Sequence, residues 1–119
     1  MKTFIKSVIV VCIVLFTANI STAQTKNLQT VDVKVYGNCG MCKKTIENAG
    51  NVKDKSKAEW NAETAMAKIT IDSTKTSIDD VLKRIAAVGY DSEKIRAEDE
   101  VYNNLHGCCQ YDRPAKKDQ

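Results

Sequence analysis

From Thr30 the chain alternates. Val31, Val33 and Val35 fall on one side and Asp32 and Lys34 on the other, the two-residue period of a strand buried on one face, and the pattern ends at Gly37. After a short loop, Cys42, Ile46 and Ala49 recur at helical spacing opposite Lys43, Lys44 and Glu47, and Gly50-Asn51 stops the helix. Residues 53–60 read as a second strand with Ala58 and Trp60 on one face. Residues 61–64 turn it into a third, where Ala65, Ala67, Ile69 and Ile71 alternate with polar residues. Thr76-Ser77-Ile78-Asp79 opens a second helix with a hydroxyl residue and an acid three positions on. Its apolar stripe is Ile78, Val81, Leu82, Ile85 and Val88, Gly89 closes it, and a short strand through residues 95–97 completes the set.

The order strand, helix, strand, strand, helix, strand predicts an α+β, ferredoxin-like βαββαβ sandwich. Its antiparallel sheet carries two helices on one face and leaves the other open to a partner. Residues 98–119 are a C-terminal extension that such a domain does not need. They offer one more helical stretch, with Val101 and Leu105 on the same side, then His106-Gly107-Cys108-Cys109-Gln110-Tyr111. From Pro114 onward the charged end reads as disordered.

The other end has a different character. Lys2 and Lys6 precede an apolar run over residues 8–16, and Ser21-Thr22-Ala23 offers the small residues that a signal peptidase reads. Residues 1–23 are therefore expected to be a secretory signal peptide; the run falls short of the roughly 20 residues that span a bilayer. Polar, patternless residues 24–29 form a flexible lead-in, and the domain proper occupies residues 30–97.

Removing the signal changes the charge. The whole chain carries 18 basic and 15 acidic residues, a net of +3, and the loss of Lys2 and Lys6 brings this down to about +1. Nothing in that balance argues for nucleic acid or for a membrane-binding tail. The expectation is an exported, periplasmic monomer with one small core.

Of five cysteines, Cys12 leaves with the signal, and Cys39, Cys42, Cys108 and Cys109 remain. An even number in an exported chain raises the possibility of structural disulfides. Against this, a bridge within either closely spaced pair would close a tiny loop and constrain little. Cys39-Gly40-Met41-Cys42 sits where a helix begins, so both sulfurs can reach one point while the positive helix end favours thiolate. Thiolate sulfur selects copper(I), zinc and related soft ions. The same spacing serves thiol–disulfide exchange, so the motif alone does not separate a metal carrier from a redox protein.

Three features together make residues 31–97 resemble the heavy-metal-associated domain family, found in copper chaperones, metal-pumping ATPases and the periplasmic mercuric-ion-binding protein. They are the Cys-x-x-Cys between first strand and first helix, the helix–strand–strand–helix spacing behind it, and Gly89-Tyr90-Asp91 before the last strand. The resemblance implies that Cys39 and Cys42 are the metal ligands and that Tyr90 lies close to the metal loop. It also implies a membrane transporter or metal-pumping ATPase as recipient. One departure stands out: the family usually places Met and Thr before the first cysteine, Met acting as a buried anchor, whereas this chain has Gly37 and Asn38 there and Met41 between the thiols. Met41 is expected to turn inward as the replacement anchor, the alternative being that it lends the site a weak thioether contact.

Two thiolates hold copper(I) or mercury(II) in near-linear geometry and leave the ion open to an incoming thiol; a closed four-ligand zinc site makes a poorer carrier. Cys108 and Cys109, with His106, offer a second soft-metal port, or else a bridge to the loop thiols. Trp60 and Tyr90 read as packing residues, and Lys43-Lys44 as a solvated helix face. A thioredoxin-like thiol oxidoreductase is the alternative, weakened because the sole proline, Pro114, lies in the tail and no Trp stands just ahead of Cys39. With no catalytic triad, carboxylate pair or phosphate loop, the sequence does not read as an enzyme.

Overall fold

In a computed structural model that describes residues 27–116, the first described stretch is already a strand, β1 (Leu28–Lys34). The expected signal segment and lead-in residues 24–26 lie outside the described residues, as do residues 117–119. Leu28 and Gln29, expected to be part of the flexible lead-in, instead pair with Asp72 and Ile71 and extend β1. Helix α1 (Gly40–Gly50) follows, then β2 (Ser56–Trp60), β3 (Met66–Asp72), α2 (Ile78–Ala87), the short α3 (Asp99–Asn103) and a 3-10 turn at Gly107–Cys109. The sheet is antiparallel, ordered β1-β3-β2, and the fold is ferredoxin-like.

The register explains the core. Val31 and Ala58 flank Ile69, while Val33 and Trp60 flank Ala67, so the inward side chains of the three strands stand in rows beneath the helices. From α1 the buried residues are Cys42, Ile46 and Gly50, one turn apart; from α2 they are Ile78, Val81, Leu82, Ile85 and Ala86. Gly50 is required here, because a Cβ at that position would run into the Ala58 Cβ. The cap of α2 is Ser77, whose hydroxyl accepts from the Asp80 N–H at 3.1 Å. Arg84 serves the other helix, donating to the Ala49 carbonyl at 3.1 Å near the negative end of α1.

Three strand expectations need correction. Residues 53–55 form a turn, so the second strand starts at Ser56 and not at residue 53. Ala65 does not lie in β3: it takes φ 57 at the turn, and the strand begins at Met66. The strand expected over residues 95–97 does not form. Its place beside β1 is taken by residues 91–93, through a single bridge between Val35 and Ser92 and bonds from Tyr36 N–H to Asp91 O (2.8 Å) and from Glu93 N–H to Lys34 O (3.0 Å). Pairing stops there because Ser92 turns the chain at once, its N–H donating to Ile95 O at 2.8 Å and its hydroxyl accepting from Ile95 N–H at 3.0 Å.

The extension is docked, not disordered, as far as Lys116. Tyr111 is buried, stacked on Tyr90 with ring centroids 5.6 Å apart and meeting Tyr102 edge-on at 5.1 Å. Its hydroxyl donates to Gly89 O and accepts from Asp91 N–H, both at 2.8 Å. Arg113 forks onto both carboxylate oxygens of Asp91 (2.8 and 2.9 Å) and also donates to Ala97 O and Asp99. Pro114 offers its carbonyl to Arg96 at 2.6 Å.

Asp91 is fully buried, which by itself would push its carboxyl up, but the Arg113 hydrogen bonds and charge and the Ala97 N–H outweigh burial and hold it below the ordinary range. A depressed folded value stabilises the protein above the unfolded value of about 3.9 and is lost as pH falls through the folded one. Arg113→Gln should therefore lower stability by about 3–5 kcal/mol at pH 7, since it leaves a buried charge without its partner. Urea midpoints should show the gap between wild type and variant narrowing below about pH 4.

Candidate metal centre

The first turn of α1 rises out of β1 through Tyr36, Gly37 and Asn38, and Cys39 is its N-cap residue, extended at φ −148. Cys42 then faces the core, fully buried, while Cys39 is half-buried at the surface. Their sulfurs are 4.0 Å apart. Burial pushes the Cys42 thiol up, but hydrogen bonds from the Asn38 N–H (3.4 Å), the Tyr90 side chain, the Cys39 backbone and the Cys109 thiol more than offset it, and Cys42 ends below the usual thiol range. Tyr90 shifts the opposite way, upward through burial and the neighbouring Cys42, so it stays a neutral O–H. Tyr90 thus lies against the thiol loop.

Cys108 and Cys109 come to the same place. The sulfurs of Cys39, Cys108 and Cys109 all lie within 4.8 Å of one another, and Cys108 and Cys109 are 3.8 Å apart. All four thiols are free, so neither pair is bridged and the tail is not tied to the loop by a disulfide. Asn38 helps to seat the tail, its side-chain amide donating to Cys108 O at 3.4 Å. Burial, together with hydrogen bonds to Cys42 and Cys108, pushes the Cys109 thiol up to about 12. Cys108 is exposed. The tail sulfurs stand beside that of Cys39, while His106 is exposed and not among the clustered ligand atoms.

Met41 does not turn inward. It is 53% exposed, with its thioether sulfur 3.8 Å from the Cys108 sulfur. The anchor under the loop is Trp60, which is buried and donates its indole N–H to Val35 O at 2.8 Å. A Cβ on Gly37 would stand 3.0 Å from the Trp60 ring and 3.3 Å from the Cys42 Cβ, so the absence of a side chain at Gly37 is what lets the indole lie under the thiols. Lys43 is not a free surface charge: it donates to Glu47 (3.0 Å) and to Trp60 O (2.7 Å), while Glu47 accepts from the Trp60 N–H (3.1 Å). Lys44 remains exposed.

Three residues of this site carried weaker signals in the sequence. Gly37 reads as a strand end, yet a glycine in contact with a cysteine loop marks close approach of something large. Tyr111 and Arg113 sit in a polar tail, where a lone aromatic two residues beyond a cysteine pair is the clue to docking.

This is a ferredoxin-like domain with a thiol pair at the start of its first helix, Cys39 half-buried at the surface and Cys42 buried beneath it. No protein-family model and no curated protein matches the chain. Three solved structures do resemble it. Oxidized MerP from Ralstonia metallidurans CH34 is 37% identical, aligns over 56% of this chain and 94% of that one, and has a TM-score of 0.50. A candidate copper-ion-binding protein from Bacillus anthracis str. Ames is 22% identical over 58% of this chain and all of that one, with a TM-score of 0.53. CopZ metallochaperone is 27% identical over 54% and 98%, with a TM-score of 0.49. The chain belongs to the heavy-metal-associated domain family. The matched share is about that of the domain without its tail.

Gly37→Ala tests the packing under the loop. The added methyl must displace the Trp60 ring, and stability should fall by about 1–3 kcal/mol, with Trp60 fluorescence shifting as the indole moves. Unchanged stability and emission would mean that the ring does not support the thiols.

Proposed function

We propose that this protein is a carrier for a soft metal ion, copper(I) or mercury(II), captured by Cys39 and Cys42 and surrendered by thiolate exchange. The observation that carries the reading is the pair of sulfurs 4.0 Å apart at a helix start, one of them held below the usual thiol range. Ligation exchanges each thiol proton for the ion, so a thiol that ionises readily lowers the cost of capture. The position of Cys39 at the surface leaves the ion open to a partner's thiolate, which enters as one of the carrier's own sulfurs leaves. Family membership supports the same reading.

The recipient on this reading is a membrane transporter or metal-pumping ATPase, the place of work is the periplasm, and the protein acts as a monomer without catalysing a reaction. Zinc suits this role less, because closed four-ligand zinc sites offer no position for exchange. A thioredoxin-like role finds little support: the sheet is a small antiparallel one, and Pro114 bonds to Arg96 in the docked tail.

Native mass spectrometry of the reduced chain, under anaerobic conditions and with copper(I), mercury(II) and zinc(II) offered together, should show a soft ion bound in preference to zinc. Cys39→Ser with Cys42→Ser should weaken that binding at least about 100-fold, on the order of 3 kcal/mol. Full affinity in the double variant would contradict the proposal.

A further inference from the structure

Distances between sulfurs report what a site is shaped to hold. With metal–thiolate bonds of about 2.3 Å, a linear two-sulfur site needs its sulfurs about 4.6 Å apart, a trigonal one about 4.0 Å and a tetrahedral one about 3.8 Å. The loop pair stands at 4.0 Å and the tail pair at 3.8 Å, and Cys39, Cys108 and Cys109 close a triangle with no side above 4.8 Å. The tail pair is closer than two sulfurs in line require, and the triangle is small enough for all three of its sulfurs to reach one ion.

The tail that brings the extra sulfurs is built into the fold. Cys109 and Tyr111 are 4% and 2% exposed. Tyr111 is bonded to Gly89 and Asp91, and Arg113 forks onto both carboxylate oxygens of Asp91. Asn38, the residue before Cys39, reaches the carbonyl of Cys108, so loop and tail are in register where the sulfurs meet. The entropy of ordering a free tail is thus met by its docking, and the sulfurs stand ready before an ion arrives.

We infer that Cys108 and Cys109 join Cys39 as ligands of one thiophilic cation, forming a three-sulfur site over the buried Cys42. The inference rests on the carrier reading above and changes its ligand set. Each of the three thiols gives up its proton to solvent as its bond to the ion forms, with no change of oxidation state. Met41, its sulfur 3.8 Å from that of Cys108, lies at the exposed rim. Added sulfurs raise retention and close the open side of the ion, so release requires a partner's thiolate to displace the tail.

The test is thiol footprinting of the reduced wild-type chain, anaerobically, with and without one equivalent of copper(I), and with alkylation at each cysteine read by peptide mass spectrometry. Exposed Cys108 should label fast without copper and at least tenfold more slowly with it. If Cys39 becomes protected while Cys108 labels at its original rate, the three-sulfur site is wrong and the two-thiol carrier stands. If no cysteine is protected, both readings fall. A Cys108→Ser/Cys109→Ala chain that keeps its circular dichroism should bind copper(I) at least tenfold more weakly in competition with a chelator, and unchanged affinity would overturn the inference.

Discussion

A charge with no access to water governs this structure. The Asp91 carboxylate is fully buried, and such a group is tolerated only when its lone pairs and its charge are answered. The nearby backbone supplies one donor, the Ala97 N–H at 2.7 Å. The rest must come from Arg113, far along the chain, and this obliges the tail to return to the domain. Around the same residue gather the Tyr36 N–H, which pairs with Asp91 O, and the Tyr111 hydroxyl, which receives the Asp91 N–H. One ion pair therefore joins the edge of β1, the segment after α2 and the docked tail.

From that clamp the arrangement passes inward to sulfur. Holding Tyr111 in place stacks it on Tyr90, and Tyr90 in turn contacts Cys42 and Cys109. The two buried thiols then differ in kind. Cys42 sits among donors and is biased toward thiolate, whereas Cys109 meets burial and the neighbouring thiols and is biased toward S–H. In the proposed three-sulfur site, an arriving cation would supply the positive charge that favours the Cys109 thiolate. Beneath them, Trp60 and Gly37 form the floor, and the Lys43–Glu47 pair fastens that floor to α1 through the backbone of Trp60.

How much of this could be read from the sequence follows from the range of each interaction. The alternation of Val31, Val33 and Val35 and the stripe from Ile78 to Ile85 are local periodicities, and both emerged as strand and helix with the expected faces. The Cys39–Cys42 spacing was equally visible. Ala65 failed the pattern because turn geometry overrode alternation, and the last strand failed because Ser92 closes a turn that a run of residue types does not reveal. Met41 was misplaced for a different reason: the anchor role had already been taken by Trp60, from a strand about twenty residues away. The docked tail was the largest surprise, since Tyr111 and Arg113 acquire meaning only once Gly89 and Asp91 are beside them.

What unites these observations is that sulfur from two distant parts of the chain meets at one point, in an arrangement suited to a thiophilic ion. X-ray absorption at the copper edge, on the reduced full chain loaded with one equivalent of copper(I), counts the atoms bound to the ion. The account expects a first shell of sulfur alone, with three neighbours. A shell of only two sulfurs, or one with nitrogen or oxygen in place of sulfur, would contradict it.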